Sequence, residues 1–562
     1  MTEPRRETGW LTVALSTASC LAYWSALPPC SLAPLAWFAP VGWLVLIRHR
    51  KLVGKRPYRT IWFTGLVFWV ILLYGITMAH PANYLGLLVL GAYLACYFPL
   101  FVGLTRVAYW RFGVPLWLAA PAVWTGLELA RGHVATGFSV ALLAHTQVTW
   151  TALLQISDLC GAYGVSFLIV LTAAGIATVL PQESDETTDV ARVTTRGRYL
   201  PLGGALSLLL MTLVYGHWRL GQQASPNAMD QPLRVGLVQG SVDTRFDVGS
   251  DYYGQAFESY RDLNRQLYQR DQTLDLVIWP ESAFEGGLPD VRYDTTTRIA
   301  GLSQVQSDDA LRRWSAEFEQ KRQVVALESG GGRLGRGTYL LVGTSTHDFR
   351  SGRERVYNSA LLIDDHGRVV SRYTKMHPVL FGEYIPGGAS FPALYDLFPI
   401  GKGLSAGVAP TAMTVAGLTM SPSICFETTV PHLLRRQALQ LEQREQHVDL
   451  LVNLTNDGWF YGSTILDLHF DCSVFRAIEH RCPLLIAANT GFSGLIDGSG
   501  RVQKKGQRRS EDLLVAEVHA DPRRSLYQHV LGDWPAAGCL VFTGLVGLAG
   551  LAQVIAERKS RV

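Results

Sequence analysis

Four short runs carry side chains able to do chemistry on an acyl group: WPES with Glu281, YTKMHPVLFGEYIP with Lys375, SICFE with Cys425, and NLTNDGWF ending at Phe460. Together they offer a base, a cation, a nucleophile and a lid. A free thiol ionises near a pH of about 8.5, so a nucleophilic Cys needs a proton acceptor and a favourable field. Cys425 stands between a β-prone run and a helical one. Such a corner projects a side chain into a cleft, while the next backbone N–H can face a developing oxyanion. A carboxylate such as Glu281 can take the thiol proton, and a cation such as Lys375 can favour the thiolate and stabilise a tetrahedral intermediate. Spacing alone singles out neither base nor cation. Read singly, Glu281 after Pro280 fits a turn, Lys375 a hairpin end, Cys425 a packed core, and Trp459 loop packing.

The elements that must hold these residues alternate. PLRVGLVQG and DLVIWP read as strands, the second delivering Glu281, with a polar helix through YYGQAFESYRDLNRQLYQRD between them. A helix near 308–322, strands VVALES and YLLVGTS, and the pair VYNSALLID and RVVSRYTKM follow. TMSPSICFET leads a strand into Cys425, a helix begins near Val430, and DLLVNLTND is a further buried strand. LDLHFDCSVFRAIEHR reads as a helix, PLLIAANT as a strand, and SGLIDGSGRV as a last hairpin. This alternation predicts a layered α/β domain with its site at strand ends. GGGRLGRG, 330–337, lacks a following Lys-Ser/Thr and reads as a loop rather than a phosphate cradle.

The rest of the chain is of another kind. Of 562 residues 17% are charged, and residues 10–218 are dominated by Leu, Val, Ala, Trp and Gly. Apolar runs near 10–27, 31–47, 60–80, 84–105, 114–130, 159–180, 199–217 and 535–556 are candidate membrane-spanning helices. The domains are then a helix bundle over 1–218, a catalytic domain over 219–534, and a last helix with a basic tail over 535–562. Arg5, Arg6, the loop from Arg48 to Arg59, Arg106, Arg111, Arg192, Arg196, Arg198, Arg558, Lys559 and Arg561 all fall on one side of this arrangement. The positive-inside rule makes that side cytoplasmic and puts the large domain outside the cytoplasm. Trp24, Trp37, Trp43, Trp62, Trp69, Trp110, Trp117, Trp124 and Trp150 lie near span ends and are expected to anchor at the interface. Glu128 is expected to pair with Arg131. A net charge of +4 with no basic stripe excludes a nucleic-acid partner. The eight cysteines show no zinc spacing, and Cys472 and Cys482 read as core packing. His377, His469 and His480 do not form a metal-ligand pattern, so neither metal nor cofactor is expected.

In their order, WPES, the YTK…FGEY run, ICFE and NDGWF resemble the nitrilase superfamily with its Glu–Lys–Cys triad. With membrane spans on both sides, the whole chain resembles the apolipoprotein N-acyltransferase family. The resemblance implies a four-layer αββα sandwich inserted between about eight membrane helices. It implies Glu281 as general base, Lys375 as oxyanion and thiolate stabiliser, and Cys425 as nucleophile. Glu383 is implied as a second acid that supports the triad and helps proton transfer, Glu427 as an essential supporting group, and Trp459 lies in the segment that acts in the family as a flap over the acyl-chain entrance. The implied reaction moves an acyl chain from a phospholipid, usually phosphatidylethanolamine, to Cys425 as a thioester. The acceptor is the α-amino group of a diacylglyceryl-cysteine at a lipoprotein N-terminus. The implied location is the bacterial inner membrane, with the catalytic domain on the periplasmic side.

The chain departs from the family in places. Phe426 stands where Tyr is usual, Pro378 precedes VLFGEY in place of a later proline, and Ile486 replaces a common Arg. A Trp expected soon after VQG is missing, Phe246 being the nearest aromatic, and the stretch between Glu281 and Lys375 is enlarged. Two other functions fit parts of the pattern. One is a membrane-tethered amide hydrolase in which water resolves the thioester; the other is a non-catalytic membrane scaffold or transporter. Joint retention of Glu281, Lys375 and Cys425 speaks against decay, and the spans lack the broken, charged repeats of a transporter.

Overall fold

The computed structural model describes residues 9–181, 195–222, 231–244, 250–330, 337–350, 354–388, 390, 391, 393, 395 and 403–560. Arg5, Arg6, Arg192, Arg561, Phe246 and most of the glycine-rich run lie outside them, as does the side chain of Arg196. The chain forms two compact units: Met1–Thr77, Asn83–Gln223 and Ser525–Val562 make the first, Met78–Ala82 and Ala224–Arg524 the second.

The first unit is helical. All eight predicted apolar stretches fall on helix, but among the described residues four segments are long and apolar enough by themselves to cross a membrane: Asn83–Arg111, Ser157–Val179, Gly197–Gly221 and Trp534–Lys559. Others are broken. The stretch at 31–47 splits into a 3₁₀ turn, Ala33–Trp37, and a helix, Val41–Arg48, because Pro40 ends one and opens the other. The last two long segments expose Leu200, Leu210, Val214, Val541, Leu545 and Leu548 by half or more, the pattern of a helix facing lipid. Small residues let helices touch: a Cβ on Gly126 would lie 2.7 Å from the Cys539 carbonyl oxygen.

Two expectations are corrected in this unit. Trp43, Trp69 and Trp124 are buried rather than interfacial, and they stack with Phe98 in one cluster, Trp43 at 4.7 Å. Glu128 takes its hydrogen bonds from the Trp124 indole at 3.0 Å and the Leu143 amide at 2.9 Å, while Arg131 donates to the carbonyls of Val140 and Ala141. Intrahelical neighbours and loop backbone reach the carboxylate before the guanidinium does. The basic loop residues also cap helix ends: Arg106 donates to the carbonyls of Leu46, Ile47 and His49, closing Val41–Arg48.

The second unit has two sheets. One contains β1 (Leu233–Gln239), β2 (Leu276–Ile278), β3 (Asp290–Arg292), β4 (Tyr339–Asp348), β5 (Arg355–Ile363), β6 (Val369–Thr374) and, from the end of the domain, a strand at Asp512–Val518. The other contains β7 (Met413–Val415), β8 (Leu418–Ile424), β9 (Leu450–Thr455), β10 (Leu484–Ala488), β11 (Gly494–Ile496) and β12 (Val502–Lys505); the Asp512–Val518 strand is β13. The strand orders are β13-β1-β2-β4-β5-β6, with β3 beside β4, and β12-β11-β10-β9-β8-β7. Central pairs β1–β2, β2–β4, β8–β9 and β9–β10 are parallel. Such strands are covered on both faces, which explains continuous apolar runs such as LLVNLT and LLIAA.

The sheets face each other across a core that includes Val235, Leu237, Ile278, Leu341, Ile424, Val452 and Leu485. Helices Ser250–Arg270 and Gln304–Glu328 cover the outer face of the first sheet through Phe257, Leu263, Leu267, Phe318 and Val325. Pro431–Glu442 and Ile465–His480 cover the second. The order of layers is αββα, as expected.

One strand assignment is corrected. VVALES is the end of the helix Gln304–Glu328, which a capping box between Ser303 and Gln306 starts. Val325 and Ala326 are buried while Leu327 is exposed, which is a helical face rather than an alternation.

Candidate functional site

The carboxyl ends of β2, β6, β8 and β9 converge on one set of side chains. β2 runs through Trp279 and Pro280 into Glu281, whose backbone crosses so close to β4 that a Cβ on Gly343 would lie 2.5 Å from the Glu281 Cα. A glycine is required there. The segment after Glu281 is tied down by Lys321, whose ammonium donates to the carbonyls of Phe284, Glu285 and Leu288 at 2.8, 2.6 and 3.0 Å. It sits over the rings of Phe257, Phe284 and Phe318 as well.

Glu281 is buried and triply held. Its Oε1 accepts from Asn358 Nδ2 at 2.6 Å and faces Lys375 Nζ at 3.5 Å; its Oε2 accepts from the Asn456 amide at 2.8 Å. Lys375 follows β6 and is 1% exposed. Its ammonium donates to Glu383 Oε1 at 2.7 Å, and the other Glu383 oxygen accepts from the Val379 amide at 2.7 Å. Burial alone would pull the Lys375 ammonium down. The carboxylates of Glu383 and Glu281, with Cys425, outweigh it and hold its pKa above the usual lysine value. Lys375 is thus a fixed cation between two acids.

Cys425 ends β8 and opens the 3₁₀ turn Cys425–Thr429 with a φ of +54°, in the left-handed region. A non-glycine residue there is strained, and the turn that strains it aims the side chain. Its thiol is pushed well above the ordinary value, first by burial and next by Glu281, against a lowering by Lys375. The resting group is therefore a neutral thiol. The sequence expectation that Lys375 favours the thiolate has the right sign, but desolvation outweighs it. Ionisation must accompany transfer of the proton to a neighbouring base.

Glu427 is the brace of this corner. Its two oxygens accept four hydrogen bonds: from the amides of Met376 at 2.7 Å, His377 at 2.9 Å and Ile424 at 2.7 Å, and from the Tyr373 hydroxyl at 2.8 Å. It thereby ties the residue before Cys425 to the residues after Lys375. Gln at this position presents an NH₂ to donors. Glu427→Gln is expected to lose two charge-assisted bonds and about 3 kcal/mol or more. A thermal melt should read this as a fall of roughly 6–12 °C in this unit's midpoint; an unchanged midpoint would refute the bracing role.

Phe426 lies 6.3 Å from the His377 ring, nearly parallel to it. Trp459 is half-buried in the turn Asp457–Phe460, which Asn456 caps by accepting from the Gly458 amide at 3.2 Å. The structure thus brings Glu281, Lys375, Glu383 and Cys425 into mutual electrostatic contact, ties Glu427 to their backbone, and leaves Trp459 on an adjacent turn. Sequence reading missed Asn358, Asn453 and Asp457, and considered His469 solely as a metal ligand. Asn358 is 77 residues from its partner Glu281, and no local spacing signals the pair. Among the described residues no group of three His, Cys, Asp or Glu side chains could hold a metal ion.

Comparison with known proteins fits this arrangement. Residues 19–175 match the apolipoprotein N-acyltransferase N-terminal domain, and residues 234–528, more than half of the chain, match the carbon-nitrogen hydrolase family. An apolipoprotein N-acyltransferase of Rhodopirellula baltica is 30% identical over 573 residues, covering 98% of both chains. The chain belongs to the apolipoprotein N-acyltransferase family. A Geobacter metallireducens member is also 30% identical, covering 95% of this chain and 93% of its own length. One from Haemophilus ducreyi is 25% identical and covers 93% of each.

Proposed function

We propose that this chain transfers an acyl group from a glycerophospholipid, phosphatidylethanolamine in particular, to the N-terminal amine of a diacylated lipoprotein through a thioester on Cys425. The observation that carries this reading is the buried Lys375 ammonium, held 2.7 Å from Glu383 and 3.5 Å from Glu281 beside the strained Cys425 turn. Glu281 takes the thiol proton as sulfur attacks the ester carbonyl. Lys375 Nζ and the Phe426 N–H receive the oxyanion. Collapse breaks the ester C–O bond, and the leaving lysophospholipid oxygen takes the proton from Glu281. The lipoprotein α-amine then attacks the thioester, gives its proton to Glu281, and the departing sulfur recovers it. The product is an amide, and the cysteine is free again.

Glu383 holds Lys375 in place, Glu427 braces the corner, Phe426 packs beside it, and Trp459 belongs to a flap over the acyl-chain entrance. In this reading the apolar helices of 1–218 and 535–562 are embedded as a multi-pass bundle in the bacterial inner membrane. Residues 219–534 act on the periplasmic side, a topology that rests on the one-sided distribution of Lys and Arg.

Intact mass of the purified full chain after incubation with phosphatidylethanolamine tests the first half-reaction. One acyl mass, removable by hydroxylamine, is expected. Adding a diacylglyceryl-cysteine peptide should then clear the adduct and yield N-acylated peptide. Release as free fatty acid, unaffected by the peptide, would instead make the chain a hydrolase, and no adduct in folded, lipid-loaded protein would overturn the thioester route.

A further inference from the structure

The oxyanion reading above depends on the amide of Phe426, and that amide belongs to the same peptide unit as the carbonyl of Cys425. That carbonyl is crowded with donors. His469 Nε2 lies 3.1 Å from the Cys425 oxygen, Asn453 Nδ2 3.2 Å and Thr428 Oγ1 3.2 Å. A carbonyl oxygen has two lone pairs, so three donors saturate it. None of the three is among the residues given a role above, although Asn453 opens the NLTNDGWF run. Asn453 comes from β9, Thr428 from the turn itself, and His469 from the helix Ile465–His480.

His469 is held from behind as well. Its Nδ1 is 3.3 Å from Asp457 Oδ1, an oxygen that also accepts from Thr455 Oγ1 at 3.0 Å, and its Nε2 is 3.0 Å from Thr428 Oγ1. One ring nitrogen faces a carboxylate and the other a carbonyl, contacts that a ring carrying a proton on each nitrogen makes together, and the Asp457 carboxylate favours that charged form. Burial would lower the His469 pKa, but Asp457, the Cys425 carbonyl and Glu281 raise it, and the net shift is upward.

We infer that His469, with Asn453 and Thr428, polarises the Cys425–Phe426 peptide from its carbonyl side and so strengthens the Phe426 N–H as an oxyanion donor. Hydrogen bonds at one end of an amide increase the donor strength at the other, and a charged donor does so more than a neutral one. His469 touches neither thiol nor substrate in this scheme. It is a positioning residue that acts through the peptide, and Asp457 orients it. The inference rests on the reading of Cys425 as the acylated group, but not on which acyl donor is natural.

The test compares two reactions of the same thiol in the full chain. Acylation by p-nitrophenyl butyrate passes through an oxyanion at this peptide; alkylation by iodoacetamide displaces iodide and forms none. Losing an oxyanion donor outright costs about 10²–10³-fold in rate, so weakening one should cost about 10–100-fold. His469→Leu is expected to slow the acylation burst by that factor with an unchanged KM, while iodoacetamide alkylates Cys425 within about twofold of the wild-type rate. His469→Gln, whose amide can still donate to the carbonyl, should recover part of the loss. Equal slowing of both reactions, or a wild-type burst in His469→Leu, would overturn the inference. Phosphatidylethanolamine run alongside separates the two readings: a wild-type burst with the activated ester but no adduct from the phospholipid would remove the proposed donor and leave the role of His469 standing. A wild-type chain acylated by neither reagent would overturn both.

Discussion

Cys425→Ala is expected to take up no acyl mass from phosphatidylethanolamine and to form no N-acylated peptide, while melting at the temperature of the parent. The two halves of that result come from different physics. The thiol is the sole group proposed to become covalently acylated, and loss of a nucleophile that works as a unit with its base typically costs about 10⁶-fold. The fold does not depend on it. Cys425 is only partly buried, its φ of +54° is set by the turn from Ile424 to Thr429, and Ala has the same backbone preferences as Cys there. Cys425→Ser is expected to fail nearly as completely. Its hydroxyl is far less acidic than a thiol, and the site already raises the pKa of the group it holds. Intact mass spectrometry and a thermal melt on the same sample check both halves. Acyl transfer at the parental rate by Cys425→Ala would remove the thioester from the mechanism.

The residues of the proposed site were legible in the sequence to different depths. Glu281, Lys375 and Cys425 were named through the resemblance of the four motif runs taken together; the strand pattern around them shows only that each lies near a strand end. The buried strands LRVGLVQ, LLVNLT and LLIAA were readable because parallel pairing covers both faces. VVALES was misread because four apolar residues in a row fit a buried strand and the last turn of a helix equally well. The capping box at Ser303, 21 residues upstream of Val324, carried the information that decides it. The partners of the site were the least visible. Asn358 reaches Glu281 from β5, and His469 reaches Cys425 across 44 residues of sequence. The contacts of Glu427 were equally hidden. Named from the resemblance as an essential supporting group, it accepts four hydrogen bonds that tie the residue before Cys425 to the residues after Lys375. Such partnerships are set by the register of β5, β8 and β9, which nothing local records. The buried Trp43, Trp69 and Trp124 show the same limit: a Trp near a helix end reads alike whether it faces headgroups or a neighbouring helix.

Lys375→Met is expected to lower acylation by about 10³-fold and to move what remains to higher pH. The first effect follows from removing a charged donor from a developing oxyanion, a loss of about 10²–10³ by itself. The second follows from what stays behind. Glu281 and Glu383 lie 3.5 and 2.7 Å from the same ammonium, in a site where Lys375 is 1% exposed. Without the cation the buried Glu281 and the partly buried Glu383 lose the positive charge they share, and an acid stripped of its counter-charge gives up its proton less readily. Glu281 must be ionised to take the thiol proton, so loss of the cation that favours its charged form pushes the acidic limb of kcat/KM towards alkaline pH. Lys375→Arg separates the two causes. It keeps the charge, so the limb should move little, but a planar guanidinium does not reproduce the single-point contact of Nζ, and the rate should still fall. Rate profiles from pH 5 to 9 for the three proteins are the measurement. An unmoved acidic limb in Lys375→Met would mean that Lys375 does not set the charge state of Glu281, and that the base of this site must be sought elsewhere.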